Sequence, residues 1–370
     1  MPTPEIYLGL MSGTSIDSID VAAMTFTGGK LQLLGTHAEP IPDLLKQQIV
    51  DLCQPGKDSV QLLCETDNQL GELFSKAALA LMHTENIRPN QVAAIGSHGQ
   101  TVRHSPPKSG ATPFTQQIGD ANIIAARTGC NVVADFRRKD MALGGHGAPL
   151  VPAFHKTLFS DAESNRVIAN IGGISNITAL PIGGSCYGFD TGPGNLLLDV
   201  WCAKHTGNGF DDRGSWGATG QACHKLLDQL MAHPFISQAA PKSTGREMFN
   251  LAWLEQQLSD SSLTAEDVQA TLVSFTAQSL AGAINTLSES VDEVYICGGG
   301  VFNDQLVAQL QTALGSTPLH STQKLGLDPT WVEACAFGWL ARQRLHHQPG
   351  NLPSVTGASR ETTLGALYLP

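Results

Sequence analysis

Nowhere in the 370 residues does a C-x-x-C pair occur. The eight cysteines stand singly, at positions 53, 64, 130, 186, 202, 223, 297 and 335. That pattern argues against a structural zinc site and a disulfide framework, and fits buried free thiols in a reducing compartment. Long apolar runs are missing too: none approaches the roughly 20 residues that span a bilayer. The opening MPTPEIYLGLM has no basic start, and Glu5 falls where an export signal would be apolar. A soluble, cytoplasmic protein is therefore expected, with no membrane partner. Basic residues are scarce. Lys and Arg number 22 against 33 Asp and Glu, the net charge is −11, and the one basic run is Arg137-Arg138-Lys139. A nucleic-acid partner is not expected from such a balance. A nucleotide is still compatible with it, because backbone N–H groups and a metal do most of the holding of phosphates. Low-complexity linkers are absent as well.

Glycine, by contrast, is abundant, at 38 residues, and gathers in short turns. The length suits two domains, and an apolar content of 42% supports a globular fold. Strands are predicted over 6–11, 21–26 and 31–34, the last two joined by the hairpin signal Thr27-Gly28-Gly29-Lys30. Helices are predicted over 43–53 and 67–82, then strands over 92–95 and 132–134, with 96–101 as a loop. The pattern then restarts. Strands at 167–171, 174–180 and 186–189 are separated by Gly172-Gly173 and by a glycine hairpin at 181–184, and a helix follows at 196–204. We read this as an internal duplication of a β-β-β-α unit. Further on come a strand at 294–297, helices from about Phe302 and over 333–342, and an apolar tail at 364–369. The halves are expected to divide near 130, as an N-terminal lobe of 1–130 joined by 355–370 and a C-terminal lobe of 131–354.

Five constellations carry candidate chemistry. In the first, Gly13-Thr14-Ser15-Ile16-Asp17-Ser18-Ile19-Asp20, a glycine and two hydroxyls suit converging donors on phosphate oxygens. Asp17 and Asp20 suit magnesium, bound directly or through water. The plain alternative is a hairpin turn, since these residue types form turns anyway. In the second, Asp190 stands at a predicted strand end before Thr191-Gly192-Pro193-Gly194-Asn195. A general base and a carboxylate that merely stabilises its own turn are equally good accounts. The third, Gly298-Gly299-Gly300 with Asn303, permits close approach to a ring or phosphate but lacks the G-x-G-x-x-G spacing, and a tight strand-to-helix turn competes. The fourth is the histidine group His98, His104, His146 and His155. The spacing of His98 and His104 is not that of a helical zinc pair, so loop histidines that touch a ligand or are satisfied locally fit better. In the fifth, 135–140, an arginine suits a carboxylate-bearing substrate, while a solvated charge run paired with Asp140 accounts for at least two of the three cations.

Taken together, LGLMSGTSIDSIDVA, GSHGQTVRH, QIGD, VVADFRRKD, GAPLVPAFH, NIGGISNI, GFDTGPGN, PKSTGRE, ICGGGVFN and LPSVTGASRETTLGA closely resemble the anhydro-N-acetylmuramic acid kinase family, from about Tyr7 to Leu369. The resemblance implies an α/β fold of the actin, heat-shock ATPase and hexokinase superfamily, ribonuclease H-like. It has two lobes of duplicated β-β-β-α-β-α that close on ATP in an interlobe cleft. It implies a kinase that opens 1,6-anhydro-N-acetylmuramic acid with water and moves the γ-phosphate of ATP to the 6-oxygen, in murein recycling, with ATP and magnesium as cofactors and a homodimer as assembly. It places Asp190 as the general base and Gly13, Thr14, Ser15, Ile16, Asp17, Ser18, Ile19 and Asp20 at the phosphates. Gly298, Gly299, Gly300 and Asn303 fall at the adenosine, and His98, Gln100, Arg137 and Glu333 at the sugar, with Arg137 on the lactyl carboxylate. Two positions depart from the family's pattern: Ser18 stands where Gly is usual and His146 where Gln is usual. A nucleotide-gated switch of the same fold is the alternative from another class, and a metal peptidase using His98 is a third reading.

Overall fold

The computed structural model describes residues 5–13, 15–107, 111–240, 242–246, 248–258 and 262–370. The chain forms two compact units, Met1–Leu158 with Trp331–Pro370, and Phe159–Thr330. Up to Leu158 the strands are β1 (Ile6–Met11), β2 (Ser18–Thr27), β3 (Lys30–Pro40), β4 (Val92–Ser97), β5 (Gln100–Ser105), β6 (Phe114–Ile118) and β7 (Val132–Ala134). The second unit holds β8 (Arg166–Ile171), β9 (Ile174–Leu180), β10 (Tyr187–Pro193), β11 (Glu293–Cys297) and β12 (Leu319–Ser321), and β13 (Ala366–Tyr368) follows near the C-terminus.

In the first unit the sheet order is β13-β7-β4-β1-β2-β3. β1, β2 and β3 pair antiparallel, β4 and β7 add in parallel to β1, and β13 pairs antiparallel to β7. One face is covered by helices Asp43–Leu52, Val60–Thr84 and Ala121–Thr128, through a core in which Leu8, Leu10, Ile19 and Val21 meet Leu70, Phe74, Ala77 and Leu81. Each of the larger side chains here, fully buried, contributes roughly 1.5–3 kcal/mol. The helix expected from 67 starts seven residues earlier because Ser59 caps it, its hydroxyl oxygen accepting from Leu62 N–H at 3.1 Å. The opposite face takes helix Val332–Leu345. Two strand glycines make that approach possible. A Cβ at Gly9 would lie 1.8 Å from the Ala334 carbonyl oxygen, and one at Gly96 would lie 2.0 Å from that of Phe337. The loop expected over 96–101 is only a turn at His98 and Gly99, where Gly99 adopts φ +73°, and the chain then enters the β5–β6 hairpin.

In the second unit the order is β10-β9-β8-β11-β12. Here too the first three strands are antiparallel and the last two add in parallel to the first. Both sheets therefore run third, second, first, fourth, fifth in the order their strands leave the chain. Helix Ala265–Asn285, capped by Thr264, is buried along most of its length, with Leu272, Phe275 and Leu280 in the core that also holds Val167, Ile171, Phe189, Leu306 and Leu310. Being small or apolar on nearly every side, it shows no amphipathic stripe. Among the described residues no helix is long and apolar enough to cross a membrane.

Candidate active site

In the first unit the polar turn after β1 is shorter than its sequence suggests. β2 already begins at Ser18, and Asp20 pairs with Met11 across the sheet. Thr14 lies outside the described residues. Ile16 adopts φ +60°, rare for a β-branched residue, and its buried side chain sits in the core beneath the turn. Its N–H reaches the Gly13 carbonyl at 3.3 Å. A Cβ on Gly13 would meet nothing within 4 Å, so the space before this backbone is open. Ser15 is exposed, while Ser12 is buried and donates its hydroxyl to Gln100 Oε1 at 2.6 Å, tying the turn to the start of β5.

The two aspartates of this turn diverge. Asp17 is exposed and ion-paired with Lys46 at 2.6 Å. Asp20 is half-buried and accepts the Ser18 hydroxyl at 2.8 Å. Burial raises its pKa, and the Asp17 carboxylate adds to that. Ser18, the departure from the usual glycine, thus serves Asp20 directly. Glu333 lies in the first turn of helix Val332–Leu345. Burial pushes its carboxyl up, Asp20 pushes the same way, and Arg137 opposes both. Two carboxylates that disfavour each other's charge in this way suit a divalent cation, which would relieve both. Among the described residues no group of three or more His, Cys, Asp or Glu side chains could hold a metal ion. Magnesium commonly binds through one or two carboxylates together with substrate phosphates, so this pair still fits it.

Arg137 follows β7 and is fixed from two sides. Its Nε and Nη2 donate to His98 Nε2 at 3.1 and 2.8 Å, and its Nη1 donates to the Gly147 carbonyl at 2.8 Å. His98 Nδ1 faces the Gly99 carbonyl at 2.8 Å, and a carbonyl only accepts, so Nδ1 carries the proton and Nε2 offers its lone pair to the arginine. Burial, with the arginine charge behind it, holds the His98 pKa well below its ordinary value. Burial lowers the Arg137 pKa to about 10, opposed by Glu333 and Asp140. Both ring nitrogens of His98 are engaged with the protein. Arg137 still has two of its five N–H groups for a ligand. Arg138 and Lys139 are exposed, as a solvated run should be, but their expected partner Asp140 is buried and bound elsewhere, and Arg138 lies 3.6 Å from Asp135 instead.

In the second unit Asp190 is not at a strand end. β10 continues to Pro193, and Asp190 pairs with Asn176 just before a bulge at Thr191, after which Gly192 pairs with Ser175. The bulge turns the carboxylate toward the segment after 241: Asp190 N–H donates to the Lys242 carbonyl at 3.2 Å, and Thr244 N–H donates to Asp190 Oδ2 at 3.0 Å. Lys242 is buried, its Nζ on the carbonyls of Phe235 and Ile236 at 3.0 and 2.9 Å and 4.7 Å from the Phe235 ring centre. Burial lowers its pKa, and the negative charge of Asp190 acts against that. Sequence reasoning gave Lys242 and Thr244 no role. The only signal was their place in PKSTGRE.

The glycine turns of this unit pack on one another. Gly194, Asn195 and Leu196 donate backbone N–H groups to the carbonyls of Gly172 and Gly173 at 2.8–3.0 Å. Gly298 has φ +81°, and a Cβ there would come within 2.4 Å of Asn170 Oδ1. Around Gly299 the nearest such contact is an ordinary 3.6 Å, which leaves that backbone approachable. Residues Gly299–Phe302 form a short 3-10 turn, and helix Asp304–Leu314 begins only after Asn303, whose Oδ1 caps it by accepting from Leu306 N–H at 3.0 Å.

These arrangements supply a carboxylate held at a strand bulge, an arginine prepared for an anion, and open glycine backbone in both units. Residues 5–370 match the family model for anhydro-N-acetylmuramic acid kinase. Similar proteins include the anhydro-N-acetylmuramic acid kinases of Shewanella loihica, 50% identical over 98% of each chain, and of Coxiella burnetii, 48% identical over 98% of this chain and 97% of that one. The solved structure of the Acidaminococcus fermentans (R)-2-hydroxyglutaryl-CoA dehydratase component A overlaps 90% of this chain and 95% of its own at 11% identity, with a TM-score of 0.47, too slight a likeness to identify a shared fold. The chain belongs to the anhydro-N-acetylmuramic acid kinase family, and so is an ATP-dependent kinase acting on 1,6-anhydro-N-acetylmuramic acid in peptidoglycan recycling. That membership sets aside the switch and peptidase readings.

Proposed function

We propose that this kinase couples hydrolytic opening of the anhydro ring to phosphorylation of the oxygen that opening releases, with Asp190 as the general base. Asp190 takes a proton from a water molecule as the water oxygen bonds to the anomeric carbon. The bond from that carbon to the ring-bridging 6-oxygen breaks, and the electron pair stays on that oxygen. The 6-oxygen bonds to the γ-phosphorus of ATP as the β,γ-bridge bond breaks and ADP departs. Glycoside opening ordinarily needs an acid for the leaving oxygen; capture by the phosphoryl group replaces that acid. The observation that carries the assignment is the bracing of Asp190 beside its strand bulge, where its own N–H is held by the Lys242 carbonyl and Thr244 N–H fixes one carboxylate oxygen.

Gly13, Ser15, Ile16 and Asp17 would present the turn's backbone to the phosphates, with Thr14 between them in sequence. Gly298, Gly299 and Gly300 would lie at the adenosine, with Asn303 setting the helix start behind them. Asp20, with Glu333 beside it, would hold magnesium, whose charge when bound offsets that of the phosphates, while Asp17, turned to Lys46, would reach the ion only through water. Arg137 would take the lactyl carboxylate with its two remaining N–H groups. Glu333 would position the sugar, Gln100 would brace the phosphate turn through Ser12, and His98 would act through Arg137. The shared strand order of the two sheets supports a duplicated architecture. A homodimer is the assembly this family membership suggests, and sedimentation equilibrium tests it. The reaction itself is tested by product analysis of Asp190→Asn with ATP and the anhydro sugar: normal turnover would remove Asp190 as base.

A further inference from the structure

Asp140 is fully buried and has no part in the chemistry above. Its carboxylate is nonetheless one of the most completely bonded groups in the first unit. Oδ2 accepts Gly147 N–H at 2.8 Å, and Oδ1 accepts Asn351 Nδ2–H at 2.7 Å and the Thr356 hydroxyl at 2.8 Å. The last two donors stand 211 and 216 residues away along the chain. A carboxylate removed from water is costly unless its lone pairs are met, so an isosteric apolar residue would be the easier choice if only packing mattered here.

The segment these bonds hold is the one that receives Arg137. Gly145 N–H donates to the Asp140 carbonyl at 3.0 Å, and a Cβ at Gly145 would lie 2.2 Å from Asp140 Oδ2, so that position admits no side chain. His146 N–H donates to the Thr356 carbonyl at 2.7 Å, and Ser359 N–H to the Leu143 carbonyl at 2.9 Å. Residues 143–147 are thus clasped to the C-terminal segment, with the carboxylate as the pin. At the end of the clasped stretch, the Gly147 carbonyl takes Arg137 Nη1.

We infer that Asp140 is a positioning residue for the sugar's carboxylate. It fixes the Gly147 peptide, N–H toward itself and carbonyl toward Arg137, so that Gly147 and His98 together aim the guanidinium. The inference rests on the reading of Arg137 as the partner of that carboxylate. It also gives the C-terminal stretch 351–356 a task in substrate binding that no direct contact would reveal.

The test is steady-state kinetics of the full chain, with each substrate varied, for Arg137→Ala, Asp140→Asn, Thr356→Val and the Arg137→Ala/Asp140→Asn pair. Asp140→Asn replaces an acceptor with an amide that cannot satisfy all three donors. It should raise the sugar KM roughly tenfold, and Thr356→Val about threefold, with the ATP KM moving less than about twofold. In the Arg137→Ala background Asp140→Asn should add little further. If Arg137→Ala leaves the sugar KM unchanged, the reading of Arg137 itself fails. If Arg137→Ala raises it but Asp140→Asn shifts both KM values alike, or multiplies in full onto Arg137→Ala, Asp140 only stabilises the fold and the inference is overturned. Should Asp140→Asn not fold, Thr356→Val carries the same comparison.

Discussion

Arg137 places two N–H groups on a single lone pair, that of His98 Nε2, at 3.1 and 2.8 Å. The pairing requires a neutral imidazole, and burial supplies one by driving the His98 pKa well below its ordinary value. His98 therefore does not titrate in the range where histidines usually do. His98→Ala should raise the sugar KM by roughly tenfold through loss of the acceptor. The ratio of variant to native kcat/KM should stay flat from about pH 5.5 to 8. A ratio that bends near the ordinary histidine pKa would show that His98 carries a proton in the reaction.

Gly298 combines a left-handed backbone with no room for a side chain. Gly298→Ala should cost about 2–4 kcal/mol, from strain and from displacing Asn170 and Ile171. The loss should appear as a lower urea midpoint and a weaker ATP-analogue affinity in calorimetry. Gly299→Ala, where the nearest contact is ordinary, should change stability by less than about 1 kcal/mol. Equal losses at the two positions would contradict this assignment.

The central strands of both sheets were legible in the sequence because apolar runs bounded by glycine turns mark them closely, as with β1 and β9, whereas the polar strands β5 and β6 carry no such run. What stayed hidden depends on residues far apart in the chain. The strand through Asp190 continues past it because a bulge absorbs Thr191, and nothing local announces a bulge. Helix Ala265–Asn285 has no stripe to detect because it is buried on most sides. Asp140 looked like one more charge in a basic run, while its partners Asn351 and Thr356 come from the other end of the chain. At the candidate site the residue types were readable, but the divergence of Asp17 and Asp20 was not, since it turns on the ion pair with Lys46 and on the burial of Asp20.

Lys242 holds the segment that presents Thr244 N–H to Asp190. Lys242→Met keeps the length but leaves the carbonyls of Phe235 and Ile236 without their donor. It should lower stability by about 1–3 kcal/mol. Because the Asp190 carboxylate then loses its support, kcat should fall roughly 10- to 100-fold with little change in ATP affinity. A kcat within a factor of about two of native would separate Lys242 from Asp190.

His155 is buried, and burial lowers its pKa to about 3. Below the ordinary value the unfolded chain binds a proton that the folded chain refuses, so stability falls as pH drops from about 6.5 toward 3. At pH 5 the loss from this one group is about 2 kcal/mol relative to pH 7.5. His98 acts in the same direction, while the raised carboxyls of Asp20 and Glu333 act in the opposite one. The check is therefore the difference between His155→Gln and the native chain in urea unfolding: acidification should move that difference by about 2 kcal/mol in favour of the variant. A difference independent of pH would refute it.

The role of Asp190 is tested most directly by single-turnover product analysis in ¹⁸O-labelled water, comparing the native chain with Asp190→Asn. The native enzyme should give ADP and N-acetylmuramic acid 6-phosphate with the label in the sugar and none in the phosphate. Asp190→Asn should bind ATP normally yet form product at least about a thousandfold more slowly. Label in the phosphate, or product formed by Asp190→Asn at the native rate, would contradict water activation by this carboxylate.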